Sequence, residues 1–494
     1  MQRLNNIVPS NWLSISFALG VGFWLLSNPT TAADYENLDD YTSTVMAETD
    51  VAGVSLAVVA DGKIAHLFAT GLANTETGTQ ITPDTLLQVG SISKPVAAWA
   101  AMTLVQRGLI NLDTPVSEYL TRWEVPPSEY DSGGITLRRL LSHTAGLSLG
   151  GYPGFDPNRT RPTVEASLSG DTNGPGAVFL QAEPGTSWSY SGGGYTLMQL
   201  IVEEVSGKTF ADYAEEALLA PLNMQKSSYS PSLSLLAQTA QGHGMNLNVL
   251  PNYRFTAEAA AGLHATAEDL ARFMIANMSE NPVLTSDNVQ LMHQPAPATD
   301  GTWGLGFSTR EEAGIVGHGG SNVGWKALMS FTPGTRNGIV LLTNSDSGSQ
   351  ILEEVLCYWS ESFNVSEYKN LCAEAKEKKQ STQRGGYITV GILAFVLFCL
   401  LGLLIKNVRS PQHNFLLSGL PLKRKLLLLT LSLILVSWFG FWHTTLGVQL
   451  IAGFSNTRAI DFVPAPFLPG SPLVMAILLA AGLCTMHIRH KETK

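Results

Sequence analysis

From Tyr387 to Ile405 the chain runs for 19 residues without a charged side chain. As a helix that stretch is about 28 Å long, which matches the hydrocarbon core of a bilayer, so it reads as a membrane span. A second apolar stretch comes at Leu426–His443 and a shorter third at Pro472–Ile488. Between the first two lie Lys406, Arg409, Lys423, Arg424 and Lys425, and after the third come Arg489, Lys491 and Lys494. With residue 34 onward outside, three crossings place both basic segments in the cytoplasm, as the positive-inside rule requires. Lys376, Lys378, Lys379 and Arg384 flank the first span on its outer side, but a long translocated domain overrides such local bias. The three segments contain no Asp, Glu, Lys or Arg, so they read as an anchor in the lipid bilayer, with docking or transport as the alternative.

The other end of the chain points the same way. Arg3 precedes an uncharged apolar run, Trp12–Leu26, and then Asn28-Pro29-Thr30-Thr31-Ala32-Ala33. A basic start, a short apolar run and a small-residue exit describe a secretory signal over residues 1–33, with an uncleaved anchor as the alternative. Either leader exports the body of the chain. Charge divides the chain along the same line. Residues 387–494 carry 9 Lys plus Arg against 2 Asp plus Glu, about +7, and the remainder carries 21 against 38, about −17. An acidic body excludes the nucleic-acid binders, which need a basic face.

Of the four cysteines, Cys399 and Cys484 fall within the expected spans and read as small apolar residues. Cys357 and Cys372 stand 15 positions apart on the exported side, where a disulfide is permitted and two free thiols are the alternative. There is no His-Glu-x-x-His and no Cys-x-x-Cys, so neither a metal nor another cofactor is expected.

The exported body, residues 34–365, has strands at both ends and helices between them. Gly53–Ala60, Asp61-Gly62 and Lys63–Thr70 read as a hairpin around a tight turn. Pro95–Gln106 is apolar on nearly every side and reads as a buried helix that ends near Gly108. Helical patterns also cover 135–142, 195–220 and Thr266–Asn277, the last with Thr266 as N-cap, and Gly146–Gly185 reads as a long loop. Trp303–Thr309, Gly314–His318, Ala327–Thr332 and Gly338–Thr343 are four short runs with turn signals between them. The pattern implies an α+β domain whose sheet is completed by C-terminal strands. Residues 366–386 read as a linker to the membrane region, 387–494.

Three serines compete for the role of nucleophile. Gly146-Leu147-Ser148-Leu149-Gly150 fits G-x-S-x-G, but a helical segment precedes it and Gly151-Tyr152-Pro153-Gly154 comes after it. The strand–turn–helix context that motif requires is missing, so it reads as a chance match. S-x-x-K occurs at Ser91-Ile92-Ser93-Lys94 and at Ser366-Glu367-Tyr368-Lys369. Ser366 lies in a polar stretch, whereas Ser91 opens the buried helix. Positions three apart share a helix face, so Lys94 lies one turn from the Ser91 hydroxyl. Burial disfavours the charged amine and lets it accept a proton. The bland alternative is an N-cap serine beside a snorkelling lysine.

Several further motifs occur in order: Leu140-Leu141-Ser142-His143-Thr144-Ala145-Gly146-Leu147, Tyr190-Ser191-Gly192, Ala261-Gly262-Leu263 leading to Ala267-Glu268-Asp269-Leu270, and Gly317-His318-Gly319-Gly320. With Ser91-Ile92-Ser93-Lys94 this series resembles the class C β-lactamase-like serine hydrolases. That penicillin-recognising group also holds D-alanyl-D-alanine carboxypeptidases, D-aminopeptidases and esterases. The resemblance spans roughly residues 40–360. It implies an antiparallel sheet flanked by helices, with a mostly helical subdomain. It makes Ser91 the acyl-accepting nucleophile, Lys94 its proton-transfer partner and Tyr190 a second acid/base, for which a core tyrosine is the alternative. His318, Gly320 and Ser321 fall on the substrate and oxyanion side, with the backbone N–H groups of Ser91 and Ser321 forming the hole. His143 reads as structural.

This sequence departs from the family pattern twice. Gly192 stands where Y-x-N ends in Asn, and His318 stands where K-T-G begins with Lys. The first removes a side-chain amide that grips a substrate amide; the second replaces a permanent cation by a group mostly neutral near pH 7. Both favour esterase or D-aminopeptidase activity over β-lactamase activity. The expectation is a membrane-anchored serine hydrolase acting on an ester or amide, D-amino-acid and cell-wall peptide derivatives among them. A weakly catalytic sensor or binding module for cell-wall peptides is the alternative, and a Ser148-based α/β-hydrolase ranks last.

Overall fold

The computed structural model describes residues 32–377 and 379–381. The leader through residue 31 and the three spans at 387–405, 426–443 and 472–488 lie outside the described residues. Among the described residues no helix is long and apolar enough to cross a membrane.

The opening hairpin forms where the turn residues place it. Strand β1 (Gly53–Ala60) and strand β2 (Lys63–Asn74) flank Asp61 and Gly62, which take φ of 50° and 75°. A two-residue turn with both φ values positive matches the twist of antiparallel strands. Strand β3 (Thr79–Gln80) extends this edge. The four C-terminal runs become β4 (Ser308–Arg310), β5 (Ile315–Asn322), β6 (Trp325–Thr332) and β7 (Asn337–Thr343). The sheet order is β3-β2-β1-β7-β6-β5-β4 and every pairing is antiparallel. β1 meets β7 from Val54 opposite Thr343 to Val59 opposite Gly338, which joins the two ends of the body.

Alternation along β1 explains why both faces are covered. Val54, Leu56 and Val58 point to one layer, where helices α1 (Ala32–Glu48) and α6 (Ser349–Ser362) contribute Leu38, Val45, Val355 and Trp359. Ala57 and Val59 point to the larger core, which holds helix α2 (Ser93–Gln106), helix α3 (Gly192–Ser206) and helix α5 (Ala267–Ala276). Successive strand residues face opposite sides, so a strand apolar throughout must be sandwiched. The four-residue helix α4 (Glu258–Ala261) fills the space between α2 and α3.

Three expectations need correction or refinement. The helical pattern across 195–220 is not one helix: it breaks at Gly207, whose φ of 69° gives α3 a left-handed cap, and resumes at Phe210. The long loop holds a short helix, Val164–Leu168. Residues 366–377, read as linker, belong to the folded body, because Tyr368 is fully buried and Cys372 is disulfide-bonded to Cys357 on α6. Thr266 does cap α5, its Oγ1 accepting from Asp269 N at 3.1 Å.

Where α2 meets the sheet, two glycines allow the approach. A Cβ on Gly320 would stand 2.0 Å from the Val89 carbonyl oxygen, and one on Gly90, whose φ is 52°, would stand 2.5 Å from Ser321 N. Gly320→Ala is expected to destabilise the protein by about 1–3 kcal/mol through overpacking. Gly334→Ala, where a Cβ meets nothing within 4 Å, is expected to stay within about 0.5 kcal/mol of wild type. Thermal melts of the two variants check the pair, and equal midpoints would show that β5 and the start of α2 are not in close apposition.

Candidate active site

Ser91 lies in the single 3-10 turn Gly90–Ile92 that runs directly into α2. Lys94 is in the first turn of α2, and its Nζ donates to Ser91 Oγ at 3.2 Å and to the Ala260 carbonyl of α4 at 2.7 Å. Lys94 is 2% exposed. Aromatic faces enclose the rest of the amine: Nζ lies 4.9 Å from the centroid of the Tyr190 ring and 5.6 Å from that of Tyr195. Burial is the one resolved influence on this group and pushes its pKa down to about 7 from an ordinary 10.5. Proton exchange between hydroxyl and amine is therefore energetically open near neutral pH.

Tyr190 is held by the segment that starts α3. The next residue, Ser191, caps that helix by accepting from Gly194 N at 2.8 Å and donating to the Ser148 carbonyl at 2.7 Å. Ser191 N donates to His143 Nδ1 at 3.1 Å, and the His143 and Tyr190 rings lie 4.3 Å apart. His143 thus braces the tyrosine from behind.

β5 forms the opposite wall. His318 is buried, its Nδ1 2.5 Å from the Gly319 carbonyl oxygen, and its ring lies 6.3 Å from that of Tyr190. The contact at Gly90 sets the backbone nitrogen of Ser321 against the turn that carries Ser91. Asn322, at the end of β5, donates to Gln88 Oε1 at 2.9 Å and to the Ala261 carbonyl at 3.1 Å, which ties the wall to α4. The structure therefore brings Ser91, Lys94, Tyr190, His318, Gly320 and Ser321 to one place.

The rival serines are engaged elsewhere. Ser148 is buried, accepts from Phe179 N at 2.9 Å and donates to the Ala177 carbonyl at 3.2 Å, so it holds the long loop together. Ser366 is exposed in a surface turn against Glu367. Three features of the site carry no motif. Trp188 and Trp303, 5.5 Å apart, extend the aromatic wall beside Tyr190. Lys326, on β6 opposite Ser321, donates to Ser321 Oγ at 2.7 Å and brings a cation to the rim. The Ala260 carbonyl that anchors Lys94 leaves no side-chain signal at all.

The Lys94 shift sets a stability signature. Its folded value lies below its ordinary one, so between about 7 and 10.5 the unfolded chain binds more protons and this group's contribution to stability rises with pH. The slope is at most about 1.4 kcal/mol per pH unit. Lys94→Met is expected to melt above wild type at pH 6, with the gap closing by pH 10; a gap independent of pH would contradict the buried amine.

Comparison with known proteins identifies the family of the chain. The family model described as Beta-lactamase matches residues 38–354. Penicillin-binding protein 4 of Amycolatopsis lactamdurans is 28% identical over 333 residues, covering 63% of this chain and 85% of that protein. A β-lactamase of Yersinia enterocolitica is 26% identical over 323 residues, covering 62% and 79%. Among solved structures, the octameric penicillin-binding protein homologue from Pyrococcus abyssi superposes with a TM-score of 0.54 at 25% identity, covering 64% of this chain and 74% of that one. With a matched segment that contains the Ser91 turn, Tyr190 and all of β5, the chain belongs to the β-lactamase family, the class C and penicillin-binding-like serine hydrolases.

Proposed function

We propose that this chain is an exported, membrane-anchored serine hydrolase that cleaves an ester or amide through an acyl-enzyme on Ser91. One observation carries the reading: Lys94, buried and shifted to about 7, has its amine 3.2 Å from the Ser91 hydroxyl. The neutral amine takes the Ser91 proton as Oγ attacks the substrate carbonyl carbon. The carbonyl π pair moves onto oxygen, where the Ser91 and Ser321 N–H groups stabilise the charge. The intermediate collapses, the bond to the leaving alcohol or amine breaks, and that group takes the proton back from Lys94. Tyr190, with its ring beside Lys94, relays a proton to the leaving group and then from the incoming water. Water attacks the acyl carbon, and Ser91 recovers its proton as the acid departs.

The departures at Gly192 and His318 support substrates recognised without a side-chain amide or a lysine at those positions: acyl esters and D-amino-acid amides, including derivatives of cell-wall peptides. Apolar contact with Trp188 and Trp303 supports an uncharged acyl side. Export and tethering rest on the leader and on the charge-free segments beyond residue 386.

A chromogenic acyl ester, a D-alanine anilide and a chromogenic β-lactam, each read by intact mass for Ser91 acylation, test the proposal. Ser91→Ala is expected to abolish labelling and turnover, and Lys94→Met to slow acylation by about 10²–10⁴-fold. With an uncharged ester the wild-type acylation rate is expected to fall tenfold per unit below pH 7 and level off above it, because the deprotonated amine is the active form. Labelling of Ser91→Ala at the wild-type rate would overturn the assignment.

A further inference from the structure

His318 stands where the resemblance sets a lysine, and it is 4% exposed with Nδ1 already 2.5 Å from the Gly319 carbonyl oxygen. A cation reaches the same wall from the neighbouring strand. Lys326 of β6 lies directly opposite Ser321 of β5, and residues directly opposite in antiparallel strands project to the same face. Its Nζ donates to Ser321 Oγ at 2.7 Å. Ser321 also supplies a backbone N–H to the oxyanion hole of the proposed mechanism, so this ammonium lies one side chain away from the reacting carbonyl oxygen.

An ammonium has three donors, and the Ser321 hydroxyl takes one. Among the described residues no carboxylate forms an ion pair with Lys326: Asp346, which acts on it at longer range, accepts from Gly324 N at 2.8 Å. Burial weighs against this ammonium and lowers its pKa below the ordinary 10.5. An incoming carboxylate would supply the missing acceptor and the missing charge in one charge-assisted bond. The space for it is present. Gly319 and Ser321 are exposed and, two positions apart, share a face of β5. β4 pairs with β5 only from Ile315 to Gly317, so among the described residues no strand covers the edge beyond it. A Cβ on Gly317 would stand 2.4 Å from the Met329 carbonyl oxygen and one on Gly320 2.0 Å from that of Val89, but one on Gly319 would meet only the Ala327 carbonyl oxygen, at 3.9 Å. The slot beside Ser321 Oγ is therefore open to a ligand atom.

We infer that Lys326 is the specificity-determining residue of this site and that, with Ser321 Oγ, it binds a free carboxylate on the leaving group of the substrate as that group lies over Gly319. The inference rests on acylation at Ser91. Trp188 and Trp303 wall the uncharged acyl side, so the anion belongs to the other half of the substrate. The substrate class narrows to esters, thioesters or amides of an α-hydroxy, α-mercapto or α-amino acid. The exchange of lysine for His318 moves the charge-reading role to β6 rather than removing it.

S-phenylacetyl thioglycolate and S-phenylacetyl thioglycolamide share an acyl group and differ in the charge of the leaving thiol, whose release is read directly. With each rate divided by that of uncatalysed hydrolysis, the full wild-type chain is expected to favour the thioglycolate by about 10–100-fold in kcat/KM, mainly through KM. Lys326→Gln is expected to bring that ratio close to one, and Lys326→Arg to keep most of it. A lysine that only steadied Ser321 would change both rates together and leave the ratio where it was. An unchanged ratio in Lys326→Gln, or a wild-type ratio near one, would overturn the subsite, the second even if the variant does not fold. Either result, with both thioesters turned over, leaves the assignment of Ser91 standing. Turnover of neither, with no acylation of Ser91, would overturn that assignment and the subsite with it.

Discussion

A lysine amine buried to 2% exposure is the constraint around which this body is built. Water would solvate that amine far better than any interior, so the fold must supply something in return or leave it neutral. It does both. The Ala260 carbonyl and the Ser91 hydroxyl accept its hydrogen bonds, two tyrosine faces surround it, and its pKa falls to where the neutral form is common. A carboxylate partner would have held the ammonium charged and ended its use as a base. The same burial therefore makes Lys94 a burden to stability and the source of its chemistry.

The rest of the architecture serves that geometry. α2 must arrive with its first turn against β5, which is why no side chain intervenes at Gly90 and Gly320. Strands from opposite ends of the body, β1 and β7, pair centrally and hold β5 and β6 in register on one side. α4 is four residues long and would not persist alone; burial of Ala259 and Ala260 and the clamp by Gln199 fix it. Its carbonyls then reach Lys94 and Asn322 at once, joining the catalytic turn to the β5 wall.

What was legible in the sequence was whatever repeats along it. Alternation and the Asp61-Gly62 turn gave the hairpin, and an apolar run with no polar face gave α2. Helix periodicity alone placed Lys94 over Ser91, because positions three apart share a face whatever packs around them. Tyr190, His318 and Ser321 were placed by resemblance; no local pattern brings residues so distant in sequence from Ser91 to its side. The break at Gly207 was readable in principle, since glycine favours a left-handed cap, but apolar spacing on both sides concealed it. Ala260 could not be found at all, because a backbone carbonyl is the same at every residue. Lys326 carries no motif, and its closeness to Ser321 comes from the β5–β6 register. Tyr368 and Cys372 belong to the body because of what they pack against, which a polar, charge-rich stretch hides.

The chemistry at Ser91 stands on the protonation state of one amine, which can be measured without a substrate. Competitive acylation of lysines with trace acetic anhydride across pH, with Lys94 resolved by peptide mass, reports its pKa directly. A midpoint of about 7 is expected for Lys94, well below its ordinary 10.5. A midpoint near 10.5 would mean an ammonium held charged at neutral pH, and Lys94 would then not be the base for Ser91.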